Sequence, residues 1–308
     1  MWTRYWLKTT ISITLIVTIG IAIADAYIDL FGVFRDPTGR ELTVYGDDRV
    51  AKYLLSTRYV GANFDGVLIG SSMTANWTVG QMQSARLYNE SLNGGNIVEE
   101  KVLLDRVLEQ SGKTKLVLMV VHPYLTASHG FETVHISPRE VWGALGSQNL
   151  FDAYKSMVKI RMGRETQSFD VAGAQDFGSE EKKLNPTLFT MFKRGTEFEV
   201  DPIAEENYRT AVAEIHARHI PLVFVIPPTY EGLLAQKREA FARFVQMQLS
   251  VKRPEDRVLD FSAPEFLEFQ SEAMNFSDGV HLRQQGAAQL TRIVDAQIKK
   301  WTDEGWRK

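Results

Sequence analysis

Two short stretches of the sequence contain residue types that could carry out acyl transfer. In "LIGSS" an apolar run ends at Gly70 and is followed by Ser71 and Ser72, and in "DGVHLRQQG" an aspartate lies three residues before His281. A serine hydroxyl becomes a nucleophile when an imidazole takes its proton, and a carboxylate that accepts from the imidazole Nδ1–H holds the ring in that role. Together the stretches predict a triad of Ser72, His281 and Asp278, with Ser71 as the rival nucleophile.

Each stretch alone has an ordinary structural interpretation. Glycine and serine end many strands, and serine is a common N-cap of helices. An aspartate close to the start of a helix needs no catalytic role. The segment from Gly70 to Thr74 also lacks the Gly-x-Ser-x-Gly pattern of α/β-hydrolases. The prediction therefore depends on the two stretches being brought together by the fold.

Strand-like and helix-like segments alternate along the chain and would position both stretches. Short apolar strands separated by amphipathic helices are typical of a parallel sheet covered on both faces. We predict a three-layer α/β/α sandwich with about five parallel strands. Ser72 would then lie at the carboxyl edge of the sheet, where ligands bind in such folds, at the N-terminus of a following helix. The predicted strands are 64–70, 86–89, 115–121, 221–228 and 257–261, and the predicted helices lie near 96–111, 203–218, 233–250 and 283–302.

The N-terminal region carries an apolar segment that predicts a membrane helix. Residues 9–24 are uncharged, with Arg4 and Lys8 before them and Asp25 after them. Positive charge on the N-terminal side favours a cytoplasmic N-terminus and an exported domain. A cleaved signal peptide, suggested by the small residues around Ala24, and a buried soluble helix are the alternatives. The predicted divisions are a cytoplasmic N-terminus at 1–8, a signal-anchor at 9–26, a juxtamembrane connector at 27–60 and an exported domain at 61–308.

One long stretch interrupts the alternation of strands and helices. Residues 123–202 contain "HPYLTASHGFETVHISPRE", a helical run over 141–162 and "GSEEKKLNPTLF". We interpret this stretch as an insertion between the third and fourth strands. Long insertions in compact domains are commonly functional, and this one would act as a lid or as a docking surface.

Composition excludes several classes of function. The 308 residues include no cysteine, which excludes disulfides, thiolate catalysis and cysteine-ligated zinc. A formal net charge of −3 without a basic block argues against nucleic-acid binding. His129, Glu132 and His135 lie close together in sequence, but their spacing matches no zinc pattern. We therefore predict neither a metal nor a cofactor.

The two chemical stretches resemble the first and last blocks of the SGNH (GDSL-like) hydrolase superfamily. "LIGSS" resembles its Gly-Asp-Ser block, with Ser71 in place of the aspartate and Ser72 at the nucleophile position. "DGVHLRQQG" resembles the closing Asp-x-x-His block, which implies roles for Asp278 and His281. "YNESLNGG" places Gly94 where the family has a glycine that serves the oxyanion hole. The resemblance implies that the backbone N–H groups of Ser72 and Gly94 bind the oxyanion.

The third block departs from the family pattern. The family usually has Gly-x-Asn-Asp after the next strand, and its asparagine donates to the oxyanion. Here "LMVVHPYLT" has His122 and Pro123 at that place. Losing one such donor lowers rates by about 10²–10³-fold, unless another group replaces it. His122 and Asn96 are the auxiliary donors that we consider.

The same departure occurs in an export-linked branch of the superfamily. This branch includes the D-alanine transfer protein of teichoic-acid systems and alginate O-acetylation proteins. "YIDLFGVFRDP" after the apolar segment and "VFVIPP" on the fourth predicted strand also resemble that branch. The resemblance implies a single-pass protein of the bacterial cytoplasmic membrane that transfers or removes acyl groups, typically O-acetyl groups, on an extracytoplasmic polysaccharide. Its partners would be an acyl donor, the polysaccharide acceptor and an integral-membrane acyltransferase.

Two other functions remain compatible with the sequence. A stand-alone carbohydrate esterase would resolve the acyl-serine with water and would need no partner. A catalytically inactive scaffold or glycan-binding subunit would use the fold alone, and the missing asparagine of the third block motivates this alternative.

Overall fold

A computed structural model describes residues 2–109, 114–126, 136–177, 198–235 and 237–306. Its centre is a five-stranded parallel sheet with the strand order β2-β1-β3-β4-β5. The α/β class and the five parallel strands predicted from the sequence are thereby confirmed. The strands are β1 Gly66–Ile69, β2 Leu87–Asn89, β3 Leu116–Val120, β4 Leu222–Ile226 and β5 Arg257–Asp260.

Helices connect the strands largely where the sequence predicts them. The predicted segment 233–250 contains two helices instead of one, and the run 141–162 is divided at Ser147, whose Oγ caps the second helix by accepting from the N–H of Leu150 at 3.1 Å. The helices are α1 Trp2–Ile28, α2 Asp48–Ser56, α3 Tyr59–Asn63, α4 Ile97–Glu109, α5 Pro123–Thr126, α6 Glu140–Gly143, α7 Gln148–Arg161, α8 Pro202–Ala217, α9 Glu231–Leu234, α10 Arg238–Gln248, α11 Leu267–Ser271 and α12 Gln284–Asp303.

The strands are buried, and their alternate residues belong to two separate apolar clusters. Successive side chains of a strand point to opposite faces of the sheet. In β1, Val67 and Ile69 pack in a cluster with residues of α2, α4, α8 and α10, whereas Leu68 packs in a second cluster with residues of α11 and α12. Apolar side chains therefore lie against the sheet from both sides of the strands, which is compatible with the predicted three layers.

The helix α1 contains the predicted membrane segment. Tyr5–Ile28 has a mean hydropathy of 2.1 in its most apolar window, and only 6% of that window is buried. At 1.5 Å per residue the 27 residues of α1 extend about 40 Å, which exceeds the ~30 Å hydrocarbon core of a bilayer. The helix is therefore long and apolar enough to cross a membrane.

The chain leaves α1 through a turn organised by one buried carboxylate. Asp29 is 2% exposed and has a φ of 49°. Its carboxylate accepts hydrogen bonds from the backbone N–H groups of Val33, Phe34 and Arg35, at 2.7, 3.2 and 2.9 Å, and from Arg40 Nη1 at 3.1 Å. Negative charge is favourable where several N–H groups converge. The "YIDLFGVFRDP" stretch is thus a folded turn at the end of α1.

Two helices follow this turn inside the region predicted as a connector. Both α2 and α3 pack against the sheet, and the Asp47 side chain caps α2 by accepting from Val50 N–H at 3.0 Å. Residues 48–63 therefore contribute to the core of the domain, whose predicted first residue was 61. The buried apolar side chains of these helices are Ala51, Tyr53, Leu54, Leu55, Tyr59 and Val60.

The stretch 123–202 leaves the sheet after β3 and returns to it beside β2. It contains α5, α6 and α7, and then residues 169–175 contact the sheet edge, where the N–H of Asn89 donates to the carbonyl of Ala172 at 2.7 Å. His129, Glu132 and His135 lie outside the described residues, as does the stretch 178–189.

Gly70 forms the turn that carries the chain from β1 to the two serines. A Cβ at this position would lie 2.3 Å from Thr74 Oγ1 and 2.7 Å from Val120 Cγ2. Thr74 cannot easily move, because it is fully buried and its hydroxyl hydrogen-bonds the carbonyl of Ser71 and the Ser91 hydroxyl, at 3.2 and 2.8 Å. Only glycine fits this close approach.

We expect Gly70→Ala to destabilise the protein by about 1–3 kcal/mol, because an added methyl group in a packed site forces backbone shifts. Denaturant unfolding of the full chain in detergent measures the change. Gly143→Ala is the matched control: its Cβ would meet its nearest neighbours at 3.4–3.5 Å, an ordinary contact distance. Equal stabilities of the two variants would contradict the packing argument at Gly70.

Candidate active site

Ser72, His281 and Asp278 form one hydrogen-bonded chain. Ser72 Oγ lies 2.7 Å from His281 Nε2, and His281 Nδ1 lies 2.6 Å from Asp278 Oδ2. These distances match a nucleophile, a base and an orienting carboxylate. The side chains of His281 and Asp278 are 27% and 14% exposed, so the site is open to solvent.

The Asp278 carboxylate is fixed by the backbone of its own turn. Its Oδ1 accepts from the N–H groups of Val280 and His281, at 3.1 and 2.8 Å. Burial alone raises the pKa of Asp278, but the hydrogen bonds and charge of His281, together with these N–H groups, outweigh burial and hold the pKa below its ordinary value. The carboxyl group is therefore an anion at neutral pH, and we assign the proton between the two side chains to His281 Nδ1.

The two adjacent serines occupy different environments. Ser72 is partly exposed and contacts His281, whereas Ser71 is 1% exposed and its hydroxyl has no hydrogen-bond partner among the described residues. Ser71 also forms a parallel backbone bridge with Leu92. The geometry brings Ser72, and not Ser71, to the imidazole.

The segment after the serines differs from the prediction. Between β1 and β2 the chain forms turns at 72–76 and a 3₁₀ helix, Val79–Gln81, instead of the predicted α-helix. The reason is visible in the side chains: Asn76 and Trp77 are buried, and Asn76 Nδ2 donates to the carbonyl of Leu282 at 2.8 Å. This bond ties the turn with Ser72 to the residue after His281.

Gly94 lies in the loop beside the Ser72 turn. The bridge between Ser71 and Leu92 aligns the two segments, and Gly94 follows two residues later with a φ of 62°, a left-handed conformation that favours glycine. Asn89 secures the same contact by donating its Nδ2 to the carbonyls of the turn, at 2.8 Å from Thr74 O and 3.0 Å from Trp77 O. The proposed oxyanion donors, Ser72 N–H and Gly94 N–H, thus belong to adjoining segments.

Two basic residues of α2 hold the loop with Gly94 from behind. Lys52 is fully buried, and its Nζ donates to the carbonyls of Asn89 and Ser91, at 2.7 Å each. Arg49 Nη2 donates to the carbonyl of Asn93 at 2.9 Å. Neither residue was predicted from the sequence, because α2 lies in the predicted connector. Amphipathic spacing in "DRVAKYLLS" could have indicated a core helix there, although it gives no sign that the lysine is inside.

Two buried glutamates, Glu90 and Glu100, interact electrostatically with Lys52. Burial raises the pKa of Glu90 to about 7, against the opposing effect of Lys52, and burial raises the pKa of Glu100 well above its ordinary value. Burial also lowers the pKa of Lys52, while Glu90 opposes that shift. Glu100 Oε1 accepts from the N–H of Leu92 at 2.9 Å. Lys52 and Glu100 therefore hold the loop that carries Gly94, Lys52 through two carbonyl groups of the loop and Glu100 through one of its N–H groups.

His122 lies at the end of β3, next to β1 in the sheet, and has a buried nitrogen aimed at no acceptor among the described residues. Its Nδ1 accepts from the N–H of Tyr124 at 3.2 Å, so we assign the proton of the neutral ring to Nε2. Nε2 is buried and has no hydrogen-bond partner in the described part of the chain. Burial, together with the nearby His281, lowers the pKa of His122 to about 3, which keeps the ring neutral. His122 thus carries an N–H that a ligand oxygen could accept.

Asn96 lies at the start of α4, where its side-chain oxygen and its backbone N–H make capping contacts. Its side-chain Oδ1 accepts from the N–H of Val98 at 2.9 Å, and its own N–H donates to Glu99 Oε2 at 3.3 Å. This reciprocal pair is a capping box. Asn96 therefore caps α4, and its side-chain oxygen is occupied in doing so.

The strand order explains why these groups meet. In an open parallel sheet, ligands bind at the carboxyl edge where the connections of neighbouring strands diverge to opposite sides. Here that position lies between β1 and β3, which end next to Ser72 and His122. Over the described part of the chain, no group of three or more His, Asp or Glu side chains could hold a metal ion.

In comparisons with known proteins, neither a protein-family model nor a curated protein matches the chain.

We expect Lys52→Met to destabilise the protein by about 2–6 kcal/mol, because the buried carbonyl groups of Asn89 and Ser91 lose their donor, at about 1–3 kcal/mol for each unsatisfied group. Denaturant unfolding at pH 7 measures the loss. Lys115→Met is the matched control, since its side chain is 64% exposed and its ion pair with Asp65 is on the surface, where such pairs contribute about 0–1 kcal/mol. A loss at Lys52 no larger than the loss at Lys115 would contradict the assigned role.

Proposed function

We propose that the chain is a membrane-anchored, SGNH-type serine acyltransferase or esterase that acts on O-acyl groups, typically O-acetyl groups, of an extracytoplasmic polysaccharide. The observation that carries the proposal is the hydrogen-bonded chain from Ser72 through His281 to Asp278. The resemblance of the surrounding sequence blocks to the SGNH superfamily supports the same chemistry.

The first half-reaction would form an acyl-serine. His281 Nε2 takes the proton of Ser72 Oγ as that oxygen attacks the acyl carbonyl of the donor. The imidazolium that forms is stabilised by the Asp278 carboxylate. Collapse of the tetrahedral intermediate breaks the bond to the donor's leaving oxygen, which receives the proton from His281. The products are the acyl-Ser72 ester and the deacylated donor.

The second half-reaction would resolve the ester. A sugar hydroxyl that loses its proton to His281 gives transfer, and water gives hydrolysis. The partly exposed triad leaves room for a polymer to approach Ser72. A donor presented at the membrane by an integral-membrane acyltransferase fits the apolar helix α1, for which we propose the role of an uncleaved anchor with a cytoplasmic N-terminus.

We also infer that the domain is a three-layer α/β/α sandwich, because two apolar clusters lie against the sheet.

We assign the third oxyanion donor to His122. Its neutral ring offers Nε2–H from the end of β3, where the family has its asparagine amide, and no other described group accepts that proton. A buried donor without an acceptor is costly, and a ligand oxyanion would satisfy it. The backbone N–H groups of Ser72 and Gly94 would supply the other two donors.

We expect Ser72→Ala to abolish covalent acylation of the purified full chain. The measurement is intact-mass spectrometry after incubation with an activated acetyl ester, followed by the addition of candidate polysaccharides. Ser71→Ala is the matched control and should still gain one acetyl group, because the Ser71 hydroxyl is buried away from His281. An adduct that persists in Ser72→Ala and disappears in Ser71→Ala would reverse the assignment.

The same experiment separates the remaining functions. Loss of the acetyl adduct upon addition of a polysaccharide, with acetylated polymer formed, identifies a transferase, and rapid turnover with water identifies an esterase. Normal polymer acylation in cells that carry Ser72→Ala would identify a non-catalytic scaffold and would overturn the proposal.

We expect His122→Phe to lower the acylation rate by about 10²–10³-fold, the usual effect of losing one oxyanion donor, whereas His122→Asn, which restores an amide donor, should retain part of the rate. The pH dependence provides a second readout. Because the pKa of His122 is about 3, the fall in rate between pH 7 and 5 belongs to another group and should persist in His122→Asn. A wild-type rate in His122→Phe would contradict the assignment.

A further inference from the structure

An unusual set of large apolar side chains is exposed on α6 and α7. Trp142 is 73% exposed, Phe151 63%, Val158 47% and Met162 56%. Apolar groups of this size in one region of a soluble surface mark an interaction site more often than chance. These four residues form what we call the α6–α7 apolar face.

The apolar side chains of α7 lie on one side of the helix. Phe151, Val158 and Met162 are spaced seven and four residues apart, which places them in one stripe along the helix. The opposite side of α7 is inside the protein, where Leu150 and Ala153 are buried. The helix thus packs on the domain through one face and presents a second apolar face outward.

Basic residues accompany this stripe. Residues 148–165 contain four basic and two acidic residues, a net charge of +2, although the whole chain has a formal charge of −3. Lys159 forms an ion pair with Glu165. The basic residues that we consider are therefore Lys155 and Arg161. Lys155 lies within the stripe, four residues after Phe151 and three before Val158. An amphipathic helix with apolar and basic side chains on its outer side is typical of segments that lie in the surface of an anionic bilayer.

The α6–α7 unit lies beside the end of the apolar helix α1. A Cβ at Gly146, between α6 and α7, would be 4.0 Å from Ile21 Cγ2 and 4.0 Å from Asp25 Oδ2. Ile21 and Asp25 lie towards the C-terminal end of the predicted anchor, residues 9–26. If α1 spans a membrane, Gly146 is therefore close to the boundary of the bilayer on the side of the domain.

We infer that the α6–α7 apolar face docks on the anionic lipid surface of the membrane that holds α1. The inference rests on the part of the proposed function in which α1 is a membrane anchor, and it is independent of the chemistry at Ser72. In this arrangement α7, which belongs to the insertion after β3, fixes the orientation of the domain on the bilayer.

The docked helix is connected to the active site through its own continuation. After α7 the chain reaches the sheet edge, where Gln175 N–H donates to the carbonyl of Ala75 at 2.7 Å and the Gln175 side chain accepts from Asn93. Asn93 is adjacent to Gly94. Membrane contact by α7 would thus hold the loop that carries Gly94 in a fixed position relative to the bilayer. In the proposed function, the acyl donor arrives from that bilayer.

The absence of cysteine from the chain permits a direct test by single-site labelling. We would introduce Val158→Cys into the full-length protein, attach an environment-sensitive fluorophore, and reconstitute it in nanodiscs that contain anionic lipids. Quenching by brominated lipids then reports contact with the bilayer. Ile203→Cys is the matched control, because Ile203 is 66% exposed on α8. Co-purification with nanodiscs reports the insertion of α1 separately.

We expect strong lipid quenching at position 158 and little at position 203. Quenching at 158 should fall in nanodiscs of zwitterionic lipid and in the Lys155→Glu/Arg161→Glu background. Equal quenching at 158 and 203 in protein that co-purifies with nanodiscs would overturn the inference. Shielding of the label at position 158 in detergent, growing with protein concentration, would also overturn the inference. In that case a second copy of the chain covers the α6–α7 apolar face. Failure of Ser72 acylation would leave these readings unchanged.

Discussion

The 2.7 Å contact between Ser72 Oγ and His281 Nε2 joins two residues that are 209 positions apart, and most of the fold serves to maintain it. Ser72 is delivered by β1, the second strand of the sheet order, and His281 by the turn before α12. The bond from Asn76 to the carbonyl of Leu282 joins the same two turns a second time. The two turns are therefore joined by two contacts. In the proposed reaction, this would hold Ser72 and His281 in position before a substrate binds, as efficient covalent catalysis requires.

Charge is distributed around this contact in a consistent way. Asp278 is kept ionised by the N–H groups and the imidazole that face it, whereas burial keeps His122 neutral. A neutral donor suits the oxyanion role that we propose for His122, because a second imidazolium next to His281 would oppose the protonation of His281 in the proposed reaction. The ammonium of Lys52 donates to the carbonyls of Asn89 and Ser91. Lys52 therefore supports the loop that carries Gly94.

The sequence was sufficient for the strands and for the approach of Ser72, His281 and Asp278, and insufficient for the parts that depend on tertiary partners. Apolar runs such as 115–121 predict buried strands directly, and an Asp-x-x-His spacing limits where a carboxylate can meet its own histidine. The choice between Ser71 and Ser72 required the burial of Ser71 and the contact of Ser72 with His281. Lys52 could not be predicted as buried, since lysine in a helix is normally solvated and only the carbonyls of another segment make its burial tolerable. The capping of α4 by Asn96 likewise appears only with its geometry.

The turn after α1 determines how this apolar helix is joined to the domain. Residues between a membrane helix and a domain often form a flexible tether, whose reach is set by its length and composition. Here the carboxylate of Asp29 gathers three backbone N–H groups and Arg40, and Leu30, Phe31 and Val33 are buried in the core that α2 also joins. The helix therefore enters the domain without a slack segment. In the proposed function, a site attached in this way would have a fixed height and orientation over the bilayer, so its access to a membrane-borne acyl donor would follow from the fold.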